Sequence, residues 1–170
     1  MNLRGRELFL NKLIACFEKP DRFVLVNEPD MSYPYLFNYI EGEAWRTQKA
    51  VREALTHYFD TGPGGYPGND DCGSISAWYI FSAMGFYPDC PGSTVYQIGS
   101  PVFDRVTIQL NKDYYKGNTF VLETKDNSAE NIYIQKAHLN GNEYDSPAVD
   151  HNDIISGGSM TFEVGSDPMK

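Results

Sequence analysis

A chain of 170 residues with 23 acidic against 14 basic side chains has a net charge of −9. It has no Lys/Arg-rich run to meet a phosphate backbone, which argues against a nucleic-acid partner. At 41% hydrophobic and 14% aromatic residues it is globular rather than disordered, and no stretch reaches the about 20 apolar residues of a membrane span.

In chain order, apolar residues at Leu8, Phe9, Leu13, Ile14, Ala15 and Phe17 predict a first helix from Arg4 to Glu18, stopped by Lys19-Pro20. The first twenty residues mix charges and lack a small-residue cleavage site, so they do not read as a secretion leader. "RFVLVNEPD" predicts a short extended run, in which Pro29 turns Glu28 away from helical geometry. A second helix is expected over Tyr33–Ile40, with Pro34 in its first turn. After the break at Gly42, "EAWRTQKAVREALTHYF" predicts a third.

"DTGPGGYPGND" is a loop, and Ser74–Phe86 then predicts a fourth helix closed by Pro88. That helix has no charge on any side. Such a segment is buried all round, which fits a central helix of a larger helical assembly. Beyond Pro91-Gly92 the period becomes two, and "TVYQIG", "DRVTIQL", "NTFVLET", "NIYIQKAHL" and "MTFEV" predict strands. Asn140-Gly141 marks a hairpin. The expected architecture is therefore mixed α and β in sequential halves. A helical segment over 1–89 precedes a small antiparallel β-sandwich over 90–170, packed against it. Cysteine says little more: an odd three do not make a disulfide framework. Cys72 and Cys90 stand at opposite ends of the uncharged helix, too far apart to bridge.

Oxygen-bearing side chains gather at two loop-to-helix junctions, "VNEPD" and "PGNDDCG". Glu28, Asp30, Asn69, Asp70 and Asp71 could serve a glycosidic cleavage, which typically needs two carboxyl groups across one bond. They could equally serve a hard cation, which takes several oxygens. The plainer readings are that Asp70 or Asp71 caps the fourth helix and that Asn69 belongs to a turn. Likewise, Glu28 and Asp30 could simply favour the positive end of the next helix. Tyr33, Tyr35, Phe37 and Tyr39 split between faces and fit core packing better than a sugar platform. His57, His138 and His151 are isolated and make no zinc spacing.

Three motifs in order, "NEPDMSYPYLFNYIEGEAWRTQKAVREAL", "GYPGNDDCGSISAWYIFSAMGFYPDCPGSTVYQIGSPVF" and "HNDIISGGSMTFEVGSDP", resemble the C-terminal portion of the catalytic region of glycoside hydrolase family 92. The resemblance implies a Ca²⁺-dependent, inverting exo-α-mannosidase that releases terminal mannose from α-mannosides such as N-glycans. It implies that the helical half is the end of an (α/α)₆ barrel and the uncharged helix an inner one. By the same resemblance Asp71 is the general base, supported by Asp70. Asn27, Glu28 and Asn69 contact sugar, and Glu28 and Asp71 belong to the metal site. Where relatives often show His-His or Gln-Asn after "NEPD", this chain has Met31-Ser32.

The family's general acid lies upstream of "NEP", and Glu7, Glu18 and Asp21 stand in no context resembling it. The expectation is a chain that supplies the base and part of the sugar and metal sites, is inactive alone, and has the N-terminal part of the same polypeptide as its partner. Self-association of the isolated piece is a further expectation, because half a helical toroid leaves apolar faces uncovered. The resemblance also implies a secreted, periplasmic or cell-surface enzyme. From a different class, a non-catalytic carbohydrate-binding or interaction module built on the β half is the alternative.

Overall fold

The computed structural model of the chain describes residues 3–18 and 23–169, with side chains from residue 5 onward. Helices come first: α1 (Leu3–Phe17), α2 (Glu28–Ser32), a 3-10 helix (Tyr33–Tyr39), α3 (Ala44–His57) and α4 (Ser74–Met84). Strands follow as β1 (Phe86–Tyr87), β2 (Val95–Ile98), β3 (Arg105–Gln109), β4 (Thr119–Lys125), β5 (Tyr133–Leu139), β6 (Asn142–Glu143) and β7 (Ala148–Asp150). A short α5 (His151–Ile155) then leads into β8 (Gly158–Gly165). The Lys19-Pro20 stop and Asp21 lie outside the described residues.

The second helix departs from its expected form. It begins at Glu28, five residues early, because the Asn27 side chain caps it by accepting the Glu28 N–H at 3.1 Å. Glu28 is thus helical despite the proline that follows it. At Tyr33 the winding tightens: Tyr33 N–H donates to the Asp30 carbonyl, three residues back. Pro34 has no N–H with which to continue the α ladder, and the 3-10 turns run on to Tyr39. Tyr35 and Phe37 are buried, whereas Tyr33 and Tyr39 are exposed, the split between faces that the spacing predicts.

The uncharged helix α4 ends two residues short of its expected limit. Gly85 takes φ +114° and donates its N–H to Phe81 and Ser82 carbonyls, and a side chain there would press on Pro101. Within this chain α4 is not buried all round. Ile75, Trp78, Ser82 and Ala83 face the helical core with Leu25, Tyr35 and Val51, while Ile80 is 54% exposed.

The strands form a three-stranded sheet in the order β1-β2-β7 and a five-stranded sheet in the order β3-β4-β8-β5-β6. Alternation drives the burial: Phe120 and Leu122 of β4, with Met160, Phe162 and Val164 of β8, fill one core. Asn140 (φ +52°) and Gly141 (φ +80°) close the β5–β6 hairpin with Leu139 opposite Asn142, as the sequence predicts. The larger sheet is mixed rather than purely antiparallel. After β7 and α5, the chain re-enters between β4 and β5, so β8 runs parallel to β4 and antiparallel to β5.

β1 pairs with β2 through Phe86 opposite Ile98, so the smaller sheet draws strands from both sides of residue 90. Buried polar groups fasten helices to sheets. Asn38 donates to the carbonyls of Ile98 at 2.9 Å and Pro147 at 3.0 Å. Arg52, 8% exposed, donates to Ser100 Oγ, Asn127 Oδ1 and the carbonyls of Pro101 and Ser128. All of those acceptors are neutral, and burial holds its guanidinium below the usual pKa. Cys16, Cys72 and Cys90 are free thiols.

Candidate active site

The loop before α4 turns through three consecutive left-handed residues: Asp71 (φ +47°), Cys72 (φ +59°) and Gly73 (φ +94°). Glycine adopts this backbone freely, but for the other two it costs about 1–2 kcal/mol each. Asp and its neighbours pin the turn. The Asp70 carbonyl accepts from Gly73 and Ile75 N–H, and the Asp71 carbonyl accepts from Ser74 N–H at 3.2 Å and Ser74 Oγ at 2.8 Å.

The two carboxylates of "NDD" divide their labour. Asp70 reaches into the helix head: its Oδ1 accepts the Ser76 N–H at 2.8 Å and its Oδ2 the Ser76 hydroxyl at 3.0 Å. The plain capping role therefore belongs to Asp70. Once Asp70 has taken it, the left-handed turn leaves the Asp71 carboxylate without a hydrogen bond or ion pair among the described residues. Asp71 is half-buried and Asn69 exposed.

The second junction stands next to the first. Gly68 lies against Val26 so closely that a Cβ would sit 3.2 Å from both the Val26 Cβ and its carbonyl oxygen. With φ +141° as well, only glycine fits. This one contact places Asn69 and Asn27, each the next residue along, on neighbouring segments. Asn27 uses its Oδ1 as the cap of α2. Glu28 is exposed at the first turn of that helix, and Asp30 turns back to accept the Val26 N–H at 3.4 Å.

A deeper link joins the same two elements. Trp78, about one turn into α4 and fully buried, donates its indole N–H to the Met31 carbonyl at 2.9 Å. Met31 is 3% exposed, and the Tyr87 hydroxyl donates to its Sδ at 3.5 Å. Ser32 Oγ donates to the Asp89 carbonyl at 3.0 Å. Met31 is thus packed inward, while Ser32 is half-buried with its hydroxyl turned to the Asp89 carbonyl. Nothing in the sequence distinguishes this inward Met31 from a surface residue; Trp78 and Tyr87, its two tethers, read there only as core aromatics.

A calcium ion takes six to eight oxygens, and a fit can be tested on the donors present. Among the described residues no group of three or more His, Cys, Asp or Glu side chains is arranged to hold a metal. Glu28 and Asp71 do not make a complete cation site by themselves. A bound ion would need backbone carbonyls, amides or oxygens from elsewhere.

This order of helices and mixed sheets, with carboxylates at two adjoining loop-to-helix junctions, has close counterparts among glycosidases. The catalytic domain of glycosyl hydrolase family 92 matches residues 2–166. An "Uncharacterized secreted glycosidase" of Arthroderma benhamiae is 32% identical over 167 residues, which is 97% of this chain and 21% of that protein. A family GH92 α-mannosidase from Bacteroides thetaiotaomicron superposes with a TM-score of 0.87 at 32% identity, covering 96% of this chain and 22% of its own. A family GH92 inverting mannosidase of the same organism gives 0.79 at 38% identity, covering 94% and 20%. The chain belongs to glycosyl hydrolase family 92. It spans about a fifth of the length of the relatives it matches. No helix among the described residues is long and apolar enough to cross a membrane.

Proposed function

We propose that this chain is the C-terminal piece of a Ca²⁺-dependent, inverting exo-α-mannosidase that acts on α-mannoside glycans such as N-glycans. One of the similar structures is an α-mannosidase of the family and another an inverting mannosidase, and the chain matches the family's catalytic domain over 165 of its residues, 2–166. The helical half corresponds in this reading to the end of an (α/α)₆ barrel. A secreted or surface location accords with the name of the fungal relative.

One observation supports the assignment of the base. Of two adjacent acids, one is consumed by capping α4 and the other, Asp71, is held out by a left-handed turn with its carboxylate oxygens unpaired among the described residues. An inverting glycosidase needs a carboxylate free to take a proton from the attacking water. Asp71 performs that step, with Asp70 fixing the turn on which it stands. Asn27, Glu28 and Asn69 contact the terminal sugar, and Glu28 and Asp71 contribute oxygens toward Ca²⁺, which would orient substrate and water as a Lewis acid. The general acid and the remaining metal ligands come from the rest of a longer polypeptide, so the 170-residue chain alone hydrolyses nothing.

The test is Asp71→Ala in the longer polypeptide, assayed for mannose release from an α-mannoside. Turnover should fall by about 10²–10⁴-fold, the usual worth of a positioned base. Turnover close to the parent's would overturn the assignment. Release of mannose by the isolated chain would show that the acid is within it.

A further inference from the structure

The two junctions stand on separate elements that share little backbone pairing, so something must fix their separation. α2 has only five residues, too few to be stable on its own hydrogen bonds. Its position is set by what grips it from below. Among the described residues the side chains of Asn27 and Asp30 bond only within the segment 26–30, and they shape α2 without attaching it to α4. The attachment is made by Trp78, whose indole N–H meets the Met31 carbonyl at 2.9 Å in a fully buried setting. Tyr87 holds the same residue from the β1 side through its hydroxyl and the Met31 sulfur. The indole is wedged in place by Phe59, stacked at 5.9 Å and 9°, and by Tyr35 at 6.5 Å and 69°.

We propose that Trp78 is the positioning residue that sets the spacing between Glu28 and Asp71, acting through the carbonyl of Met31. Asp71 stands on the hydrogen-bonded turn that leads into α4, Trp78 lies four residues beyond the first residue of that helix, and Met31 lies three beyond Glu28 on α2. The N–H···O bond therefore closes a short rigid frame with a reactive carboxylate at each free end. It also gives Met31 a role: where relatives often show His-His or Gln-Asn after "NEPD", Met31 is the buried foot of the frame. Turnover in a site of this kind is sensitive to misplacement, a shift of about 1 Å costing about 10²-fold.

The proposal rests on the glycosidase reading of Asp71, and the test separates the two. In the longer polypeptide, Trp78→Phe keeps an aromatic ring in the core and removes only the N–H and one ring of bulk. It should lower kcat tenfold or more while KM changes less than threefold. Phe120→Leu, a fully buried change in β4 away from both junctions, serves as the stability control and should lower the melting temperature without lowering kcat. Tyr87→Phe, which removes only the contact to sulfur, should lower kcat two- to fivefold and covers the case in which Trp78→Phe does not fold. Asp71→Asn fixes the frame of reference. If it is inactive while Trp78→Phe turns over like the parent, or no worse than Phe120→Leu, the positioning role is overturned and the base stands. Normal kcat in Tyr87→Phe with an unfolded Trp78→Phe overturns it too. If Asp71→Asn keeps full turnover, the base assignment falls and the frame has nothing to position.

Discussion

Two helices of this protein begin beside an aspartate, and their heads differ in a way that separates support from chemistry. At α5, Asp150 is the N-cap in extended geometry (φ −82°, ψ 145°). Its Oδ1 accepts the Asn152 N–H at 2.8 Å and its Oδ2 the Thr94 hydroxyl at 2.8 Å. Every part of that carboxylate has structural work. At α4 the cap is Gly73, the aspartate that reaches the helix is three residues further out, and a second aspartate stands between them with its carboxylate oxygens unpaired among the described residues. A single acid at a helix head is a cap. A pair on a left-handed turn is a cap plus a carboxylate that the fold does not use.

The largest expected effect breaks or upholds that division. In the longer polypeptide, Asp71→Asn should abolish most turnover, by about 10²–10⁴-fold, and leave the melting temperature nearly unchanged, since no hydrogen bond to its carboxylate is lost. Asp150→Asn should leave turnover as it was. Equal losses in the two variants, measured as kcat under saturating substrate, would erase the distinction. Next in size is Asp70→Ala, which should cost about 1 kcal/mol of stability, the usual worth of a side-chain cap. Its drop in turnover should be smaller than that of Asp71→Asn, measured with the protein fully folded. A loss of turnover in Asp70→Ala as large as in Asp71→Asn would make the pair act as one unit.

How much of this the sequence announces depends on whether local pattern or tertiary placement decides. β5 and β6 are legible because Asn140-Gly141 forces a two-residue turn whatever surrounds it. β4 and β8 are legible as strands from alternation, yet not as parallel partners, because the same alternation suits any neighbour. The 3-10 course of Tyr33–Tyr39 follows from Pro34 but was masked by a periodicity that fits either winding. At the site, the residue types in "NDD" mark a helix head with acid to spare. Which acid caps is decided by the turn at Asp71-Cys72, and two non-glycine residues in left-handed backbone are not something spacing reveals. The grip of Trp78 on Met31 joins residues 47 apart and leaves no local trace at all.

A finer contrast uses pH. Asp89 is 9% exposed and accepts the Tyr39 hydroxyl at 3.0 and 3.2 Å. Burial raises its pKa above the usual carboxylate range, the hydrogen bonds from Tyr39 and Gln97 opposing that only in part. Burial, with Asp89 as its acceptor, pushes the Tyr39 phenol up to about 12. A carboxylate whose folded pKa is raised weakens the fold as it ionises, so its penalty grows as pH rises from the unfolded value through the folded one. Asp89→Asn keeps an acceptor for Tyr39 and should therefore gain stability over the parent between about pH 4 and neutrality. Denaturant melts across that range measure the gain, and a gain that does not grow with pH would show that desolvation of the charge is not the cause.

Asp150 should give the smallest effect, and of opposite sign. The Asn152 backbone N–H, then the Thr94 hydroxyl, hold its pKa below the ordinary carboxylate value. Its contribution is complete above the unfolded pKa of about 4 and disappears as pH falls through the lower folded value. Asp150→Asn should accordingly melt slightly below the parent at neutral pH, and the gap should close in acid. Added salt should change the gap little, because hydrogen bonds rather than distant charges supply the shift. A gap that salt closes and acid does not would mean that Asp150 acts as a bare charge near the helix terminus. In that case the head of α5 would no longer be the fully bonded counterpart against which the unpaired Asp71 is judged.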